Sequence, residues 1–145
     1  MLSSKKIICP QNLLNLTKKN KNVNAAIVNA GNMLAMTSAM IAVKENLIRP
    51  VFIGDKKKII KFADDLEFDI SSYSIINEET ENKTAKVASE LASEQKIKII
   101  VKGHIHTDVL MKEVLKRKYN LHGKTRLSHI WHMTLEKNDK PIIIT

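Results

Sequence analysis

The residues best suited to bind a ligand lie between Val101 and Asp108, where an apolar run ends in a segment that contains glycine and two histidines. Ligands of open α/β sheets bind beyond the carboxyl ends of the strands, and this segment follows such an end. Gly103 lets the backbone approach a ligand closely, and Thr107 is the predicted N-cap of the next helix. The dipole and free N–H groups of that helix favour an anion. Spacing alone is more typical of an ordinary strand–loop–helix junction, so both interpretations stay open.

Charged side chains around this segment decide how well it would bind a phosphate. Lys102 and the imidazoles of His104 and His106 can donate hydrogen bonds to phosphate oxygens. Asp108, in the first turn of the predicted helix, complements the helix dipole. It therefore either stabilises the empty helix or competes with a bound anion.

The five histidines do not form a convincing metal site. His129 and His132 are three residues apart in a predicted strand, so their side chains point to opposite faces. His104 and His106 can chelate from a loop, but no acidic or thiolate third ligand lies at a suitable spacing. We expect no bound metal.

Short β-branched runs alternate with helical stretches and must position these residues. Strands are predicted at residues 25–28, 50–53, 73–76 and 97–101, and helices at 32–45, 59–66, 84–93 and from 107 onward. This rhythm predicts a three-layer α/β/α fold with a largely parallel sheet and helices on both faces. The helix at 32–45, rich in Met and Ala, is expected to be largely buried. The apolar run at 97–101 is typical of a strand buried on both sides.

The end of the chain has a different pattern. Strands are predicted from Ser128 to Leu135 and from Pro141 to Thr145, with a turn at Asn138-Asp139. A final buried strand that no helix follows leaves its outer face uncovered. We therefore expect that the chain is truncated or that a partner covers this face. Trp131 is expected in a core or a cleft wall.

Composition bounds the class of protein. The chain has 145 residues, 43% hydrophobic and 27% charged, which is typical of a soluble globular domain that buries a core. We divide it into a basic helical segment, residues 1–23, and a domain, residues 24–145. The single cysteine, Cys9, rules out an internal disulfide. No apolar run is long enough for a membrane span or a secretory signal, so we expect a cytoplasmic protein.

The net charge of +9 allows two interpretations. Lysine clusters at residues 18–21, 56–58 and 116–118 can neutralise nucleic-acid phosphates. However, the aromatic residues are not interleaved with these clusters, as a base-stacking platform requires. We therefore favour a solvated lysine-rich surface, which is also compatible with an anionic cofactor.

Four segments together resemble the phosphate acetyl/butyryltransferase family. Lys102–Met111 resembles its Lys-Gly-x-x-His-Thr-Asp-x-Leu-Met stretch, and Arg126–Ile130 resembles its Arg-x-Ser-His-Val segment. Leu47–Asp55 is similar to its Gly-Leu-Ile-x-Pro-Val-Leu-Val-Gly block, and Pro141–Thr145 to the strand before its Asp-Ala-Ala-Ile-Asn segment. The segments follow the order and spacing of the family over most of residues 24–145.

The resemblance implies an activity, a fold and a set of site residues. Family members transfer an acyl group between coenzyme A and phosphate without a metal, in a cleft between two α/β domains of the isocitrate/isopropylmalate-dehydrogenase-like fold. The partners implied are acyl-CoA, phosphate and acyl phosphate, with a homodimer as the common assembly. Oxyanion donors and the positioning of two anionic substrates would supply the catalysis. The implied substrate-binding residues are Lys102, Gly103, His106, Thr107, Arg126 and Ser128.

The sequence departs from the family pattern at three places. Asn29–Asn32 stands where members carry a His-Pro-Cys/Val-Asp-like segment, and Leu121–Lys124 stands for a Leu-Arg-Thr-Gly-like stretch. The second half of the family, with its catalytic serine, arginine and aspartate, is not among these residues. We therefore assign no catalytic residue, and a separately encoded C-terminal half is one explanation, beside a degraded gene product or a retained binding domain. The alternative is a non-catalytic basic α/β binding module, left by a split or degraded gene.

Overall fold

The computed structural model describes residues 11–17, 22–123, 127–135 and 138–145. In chain order its elements are α1 (Gln11–Thr17), β1 (Val23–Val28), α2 (Met33–Lys44), β2 (Ile48–Gly54), α3 (Lys56–Asp65), β3 (Ser74–Asn77), α4 (Glu81–Ser93), β4 (Ile99–Lys102), α5 (Thr107–Val114), a 3-10 turn (Arg117–Tyr119), β5 (Trp131–Leu135) and β6 (Asn138–Ile144). None of these helices is long and apolar enough to cross a membrane.

The chain divides into two compact units. The larger unit spans Lys21–Leu121 and contains β1 to β4 with α2 to α5. The smaller unit combines Met1–Asn20 with His122–Thr145 and contains α1, β5 and β6. The division into residues 1–23 and 24–145 stays a prediction.

The larger unit is built on a four-stranded sheet with the order β3-β2-β1-β4, and every strand pair in it is parallel. Successive residues of β1 face opposite sides of this sheet. On one side, Ala25 and Ile27 pack with buried residues of α2 and α3. On the other side, Ala26 and Val28 pack with buried residues of α4 and α5. The predicted three-layer α/β/α architecture is therefore confirmed.

Polar side chains mark where three of the helices begin. Asn32, Asp55 and Thr80 accept hydrogen bonds from backbone N–H groups at the starts of α2, α3 and α4. Such caps satisfy N–H groups that have no partner inside the helix. The cap at Thr80 starts α4 at Glu81, three residues before the predicted start at Thr84.

Helix α2 is less buried than its Met- and Ala-rich sequence predicts. Met36 and Ala39 are buried, but the side chains of Leu34 and Ile41 are 75% and 54% exposed. A helix presents only one stripe to the sheet it covers, so apolar residues outside that stripe stay exposed. The prediction of a largely buried helix is wrong.

Strand β4 lies at the edge of the four-stranded sheet and pairs only with β1 among the described strands. Ile99 is 41% exposed, and Ile100 and Val101 are partly exposed. The prediction that residues 97–101 form a strand buried on both sides is therefore wrong. Ile97 and Ile100 pack with the cluster that contains residues of α4 and α5, and Val101 packs with the cluster on the other side of the sheet.

Strands β5 and β6 pair antiparallel in a separate two-stranded sheet, with Trp131 opposite Ile144. The strand predicted at 128–135 begins at Trp131, and the turn predicted at Asn138-Asp139 is wrong because both residues belong to β6. Trp131 is 57% exposed, and its ring lies 4.7 Å from the ring of His129, centroid to centroid. Trp131 is therefore not a core residue of the described structure.

Candidate functional site

The loop that joins β4 to α5 (residues 103–106, the β4–α5 loop) is hydrogen-bonded to the end of β1. The Gly103 N–H donates to the Val28 carbonyl at 2.9 Å, and the His104 N–H donates to the Asn29 carbonyl at 3.2 Å. The Asn29 side chain donates in return to the His104 carbonyl. Asn29 has a φ of 55°, in the left-handed region that asparagine tolerates better than most residues. The end of β1 therefore sets the position of the loop.

Gly103 is required by this contact. A Cβ atom at its position would lie 2.5 Å from the Val28 carbonyl oxygen and 2.9 Å from that of Asn29. Both neighbours are backbone atoms, which cannot rotate away as a side chain can. The close backbone approach that the sequence indicates is thus made to β1. A contact between Gly103 and a ligand stays a prediction.

Helix α5 begins without a side-chain cap. Its first residue is Thr107, so the N-cap is His106, and His106 makes no side-chain hydrogen bond to the helix start. The prediction of Thr107 as N-cap is wrong by one residue. The consequence favours a ligand, because the first-turn N–H groups are not occupied by a capping oxygen and carry the positive end of the helix dipole.

Glu81 forms a contact with His106 that the sequence analysis missed. Glu81 lies in the first turn of α4, and its carboxylate oxygens are 3.0 and 2.9 Å from His106 Nδ1. One of them also accepts the His106 backbone N–H at 3.2 Å. Because Nδ1 faces the carboxylate, Nε2 is the ring nitrogen that can face a ligand. The sequence predicts this helix from residue 84, so it did not place Glu81 in a first turn, and His106 lies 25 residues away.

This contact changes the protonation of both groups. The hydrogen bond and charge of Glu81 raise the pKa of His106, and the nearby Asp108 carboxylate acts in the same direction. The same hydrogen bonds hold the pKa of Glu81 below its usual value. The charged forms of both groups are therefore favoured, and His106 stays cationic to higher pH than a free histidine.

The β4–α5 loop opens into a cavity of about 330 Å³. Its lining combines the lysine at the end of β4, the loop, the start of α5 and the partner of His106: Glu81, Lys102, Gly103, His104, Ile105, His106 and Thr107. Two cationic groups and the open end of α5 thus meet at one cavity. This arrangement can bind a small anion through backbone donors and charge.

Four of the six predicted substrate-binding residues, Lys102, Gly103, His106 and Thr107, therefore line one cavity. Ser128 is exposed and belongs to the smaller unit, shortly before β5. Arg126 lies outside the described residues. The roles of all six residues stay predictions.

Two of the histidines, His129 and His132, do not lie in one strand as the sequence predicts. His129 precedes β5, so the prediction that His129 and His132 share a strand is wrong. Within residues 11–17, 22–123, 127–135 and 138–145, no three His, Cys, Asp or Glu side chains come together as potential metal ligands.

The amino-acid sequence is similar to those of phosphate acetyltransferases and phosphate butyryltransferases. The chain is 35% identical over 125 residues to "Phosphate acetyltransferase" of Rickettsia typhi, a match that covers 86% of this chain and 36% of the relative. It is 28% identical over 104 residues to "Phosphate butyryltransferase" of Clostridium acetobutylicum, covering 72% of this chain and 35% of the relative. The chain thus spans about a third of the length of these curated relatives. No protein-family model matches the sequence.

Comparisons of structure find the same fold. A branched-chain phosphotransacylase from Enterococcus faecalis matches with a TM-score of 0.66 and 24% identity, over 83% of this chain and 41% of that one. EutD phosphotransacetylase from Staphylococcus aureus matches with a TM-score of 0.69 and 20% identity, over 92% of this chain and 49% of that one. At these identities the likeness concerns the fold. Together the comparisons confirm the resemblance that the sequence segments indicate.

Proposed function

Because this chain is related to the phosphate acetyl/butyryltransferases, we propose that its β4–α5 loop binds phosphate, or the phosphoryl group of an acyl phosphate, in acyl transfer to and from coenzyme A. The observation that carries the proposal is the start of α5. It has no side-chain cap and opens into a cavity of about 330 Å³ that Lys102 and His106 also line. The relatives indicate the class of reaction, and the cavity offers a binding site for phosphate, the anion of that reaction.

Each group of the site has a defined task in this proposal. The N–H groups at the start of α5 donate to phosphate oxygens along the helix dipole. Lys102 and the protonated His106 add charge-assisted donors. Glu81 is a positioning residue, because it orients the His106 ring through Nδ1 and keeps it cationic. We further propose that Arg126 and Ser128 contribute to the same substrates.

The proposed reaction needs only positioning and charge stabilisation from these groups. The thiolate sulfur of coenzyme A attacks the carbonyl carbon of the acyl phosphate, forming a C–S bond. The C–O bond to phosphate then breaks, and the electron pair leaves with the phosphate. The loop donors stabilise the charge on this leaving group in the forward direction and orient phosphate as the nucleophile in reverse. Coenzyme A is the acyl carrier, as acyl-CoA or free thiol.

The first experiment measures phosphate binding to the 145-residue chain by calorimetry at low ionic strength. Lys102→Gln is compared with Lys98→Gln, because these exposed lysines lie just beyond opposite ends of β4's apolar run. We expect Lys102→Gln to weaken phosphate binding about fivefold and Lys98→Gln to change it less than twofold. Equal effects of the two substitutions, or no saturable phosphate binding to the unaltered chain, would contradict the proposed site.

A second experiment separates binding from turnover. Acetyl-CoA and phosphate are added to the chain, and free thiol is followed with a chromogenic reagent. The chain spans about a third of its relatives' length, so phosphate binding without thiol release would favour the non-catalytic binding module. Thiol release that Lys102→Gln reduces and Lys98→Gln does not would favour the enzyme. Calorimetry with coenzyme A tests whether the chain binds this acyl carrier. The absence of binding heat at millimolar coenzyme A would remove coenzyme A from the proposal.

A further inference from the structure

A cleft between α4 and α5 is lined mainly by lysines, which are five of its eight lining residues. Its lysines come from α4, from α5 and from the segment that follows α5: Lys83, Lys86, Lys112, Lys116 and Lys118. We call these five residues and the space between them the lysine cleft. The cleft has a volume of about 480 Å³. Glu113 is the single carboxylate in its lining, so the formal charge of the lining is strongly positive.

That single carboxylate is already engaged. Glu113 accepts hydrogen bonds from Lys116 Nζ at 2.5 Å and from the Tyr119 hydroxyl at 2.6 Å. These bonds hold the pKa of Glu113 below its usual value, although partial burial acts in the opposite direction. Five lysines and one carboxylate leave the lining a formal charge of +4, so Glu113 offsets only a fifth of the lysine charge.

The remaining ion pairs leave most of the cleft uncompensated. Lys86 pairs with Glu90 at 3.8 Å, outside the lining. Within the part of the chain that the structure describes, the ion pairs do not involve Lys83, Lys112 or Lys118. Lys118 Nζ instead lies 4.4 Å from the centre of the Tyr119 ring.

This arrangement is unfavourable without a ligand. Lys83 and Lys86 are three residues apart on α4, a spacing at which like charges on a helix repel. The surface beside α3 shows the contrast. There a second cleft is lined by Lys56 and Lys57 together with two carboxylates, so its charges balance. The lysine-rich composition of the chain therefore does not by itself produce a cleft whose lining residues are mainly positively charged.

The frame around the lysine cleft is fixed by packing. The backbone carbonyl of Tyr119 accepts a hydrogen bond from Ser93 Oγ at 2.9 Å, which joins the 3-10 turn to the end of α4. Tyr119 is 5% exposed, and burial with the Glu113 hydrogen bond raises its pKa to about 12. The hydroxyl thus stays protonated and keeps donating to Glu113, which holds α5 and the turn together.

We propose that the lysine cleft binds a small molecule that carries two or more adjacent phosphoryl groups. Several ammonium groups around one space suit a ligand with several negative charges close together. A volume of about 480 Å³ is that of a small-molecule site rather than of a track along a polymer. Lys118 already lies over the ring of Tyr119, so that face does not offer a platform for nucleic-acid bases. This inference does not depend on acyl transfer.

The probes are inorganic tripolyphosphate, orthophosphate and a 20-base-pair duplex DNA, each titrated into the 145-residue chain at fixed ionic strength. We expect tripolyphosphate to bind about tenfold more tightly than orthophosphate, because more ammonium groups can be engaged at once. Amide NMR shifts are expected to change most at residues 82–86 and 109–118. Shift changes centred elsewhere would overturn the assignment of the site.

Two double substitutions, matched in charge, provide the decisive comparison. Lys83→Gln with Lys112→Gln removes two charges from the cleft, and Lys44→Gln with Lys61→Gln removes two from α2 and α3. All four lysines are exposed, and circular dichroism checks that both proteins fold. We expect the cleft variant to bind tripolyphosphate about tenfold more weakly and the control variant to change less than twofold. Equal losses, or DNA binding that is tighter than tripolyphosphate binding and lost in the cleft variant, would overturn the proposal.

Discussion

The substitution Gly103→Ala tests how the β4–α5 loop is held in place. It adds one methyl group at a position whose nearest neighbours are backbone oxygens, 2.5 Å away at Val28 and 2.9 Å away at Asn29. Carbon and oxygen atoms in ordinary contact are more than 3 Å apart, so the loop and the end of β1 must separate. The separation also lengthens the two backbone hydrogen bonds that Gly103 and His104 donate to β1.

The expected cost follows from these contacts. Overpacking of a tight site costs about 1–3 kcal/mol, and each weakened hydrogen bond costs about 1 kcal/mol. Part of this cost is offset, because alanine restricts the unfolded chain more than glycine does, by about 0.4–1 kcal/mol. We therefore expect Gly103→Ala to lower the free energy of unfolding by about 3 kcal/mol. For a chain of this length that corresponds to a fall in Tm of about 10 °C.

The assay is urea unfolding followed by circular dichroism, with phosphate binding measured on the folded protein. Gly31→Ala is the matched control. A Cβ atom there would lie 3.0 Å from Lys58 Cβ and 3.8 Å from the Asp55 backbone oxygen, so a shift of a few tenths of an ångström relieves the contact. We expect the control to change the free energy of unfolding by less than about 1 kcal/mol. If Gly103→Ala stays within about 0.5 kcal/mol of the unaltered protein, the explanation of Gly103 by packing against β1 is refuted.

Three further predictions concern the His106 ion pair, a helix cap and the core. Glu81→Gln should lower the pKa of His106 towards its usual 6.5, and an NMR titration of the ring that is unchanged would show that the pair does not form. Folding raises the pKa of His106, so the stability that His106 contributes is complete below pH 6.5. This stability is lost as the pH rises through the pKa of His106 in the folded protein. The unaltered protein and Glu81→Gln should therefore converge in stability at high pH. Asn32→Ala removes the acceptor of two N–H groups of α2 and should cost about 1 kcal/mol in urea unfolding, whereas Asn32→Asp should cost much less. Phe52→Ala should cost about 3–5 kcal/mol, because the ring is fully buried and lies 6.2 and 6.3 Å from two aromatic rings; a cost below about 1 kcal/mol would contradict this packing.

Local patterns were sufficient to predict the strands and helices of the larger unit. Each strand and helix of Lys21–Leu121 appears in the sequence as a β-branched run or a helical repeat, and the ends differ by a few residues. The error at the start of α4 shows the limit of the pattern. The periodic pattern of α4 begins at Thr84, but the helix itself begins at Glu81, directly after the polar cap Thr80.

Burial was less predictable than element type. The run at 97–101 has the composition of a central strand, yet β4 is an edge strand, because strand order depends on how the crossovers pack and not on the strand itself. Likewise, Leu34 and Ile41 are apolar but face away from the sheet. The antiparallel pairing of β5 with β6 was missed for the same reason, since an apolar strand does not specify its neighbour.

By itself the sequence determined six of the seven residues that line the candidate site, because Lys102 to Thr107 are consecutive and lie at the end of a strand. Only the tertiary structure decided what those residues contact. Glu81 reaches His106 across 25 residues, and β1 reaches Gly103 across more than 70. Such contacts depend on how strands and helices pack in space, whereas sequence patterns report only neighbours within one or two turns of a helix or along one strand. The pKa of His106 and the requirement for glycine at position 103 both arise from these long-range contacts.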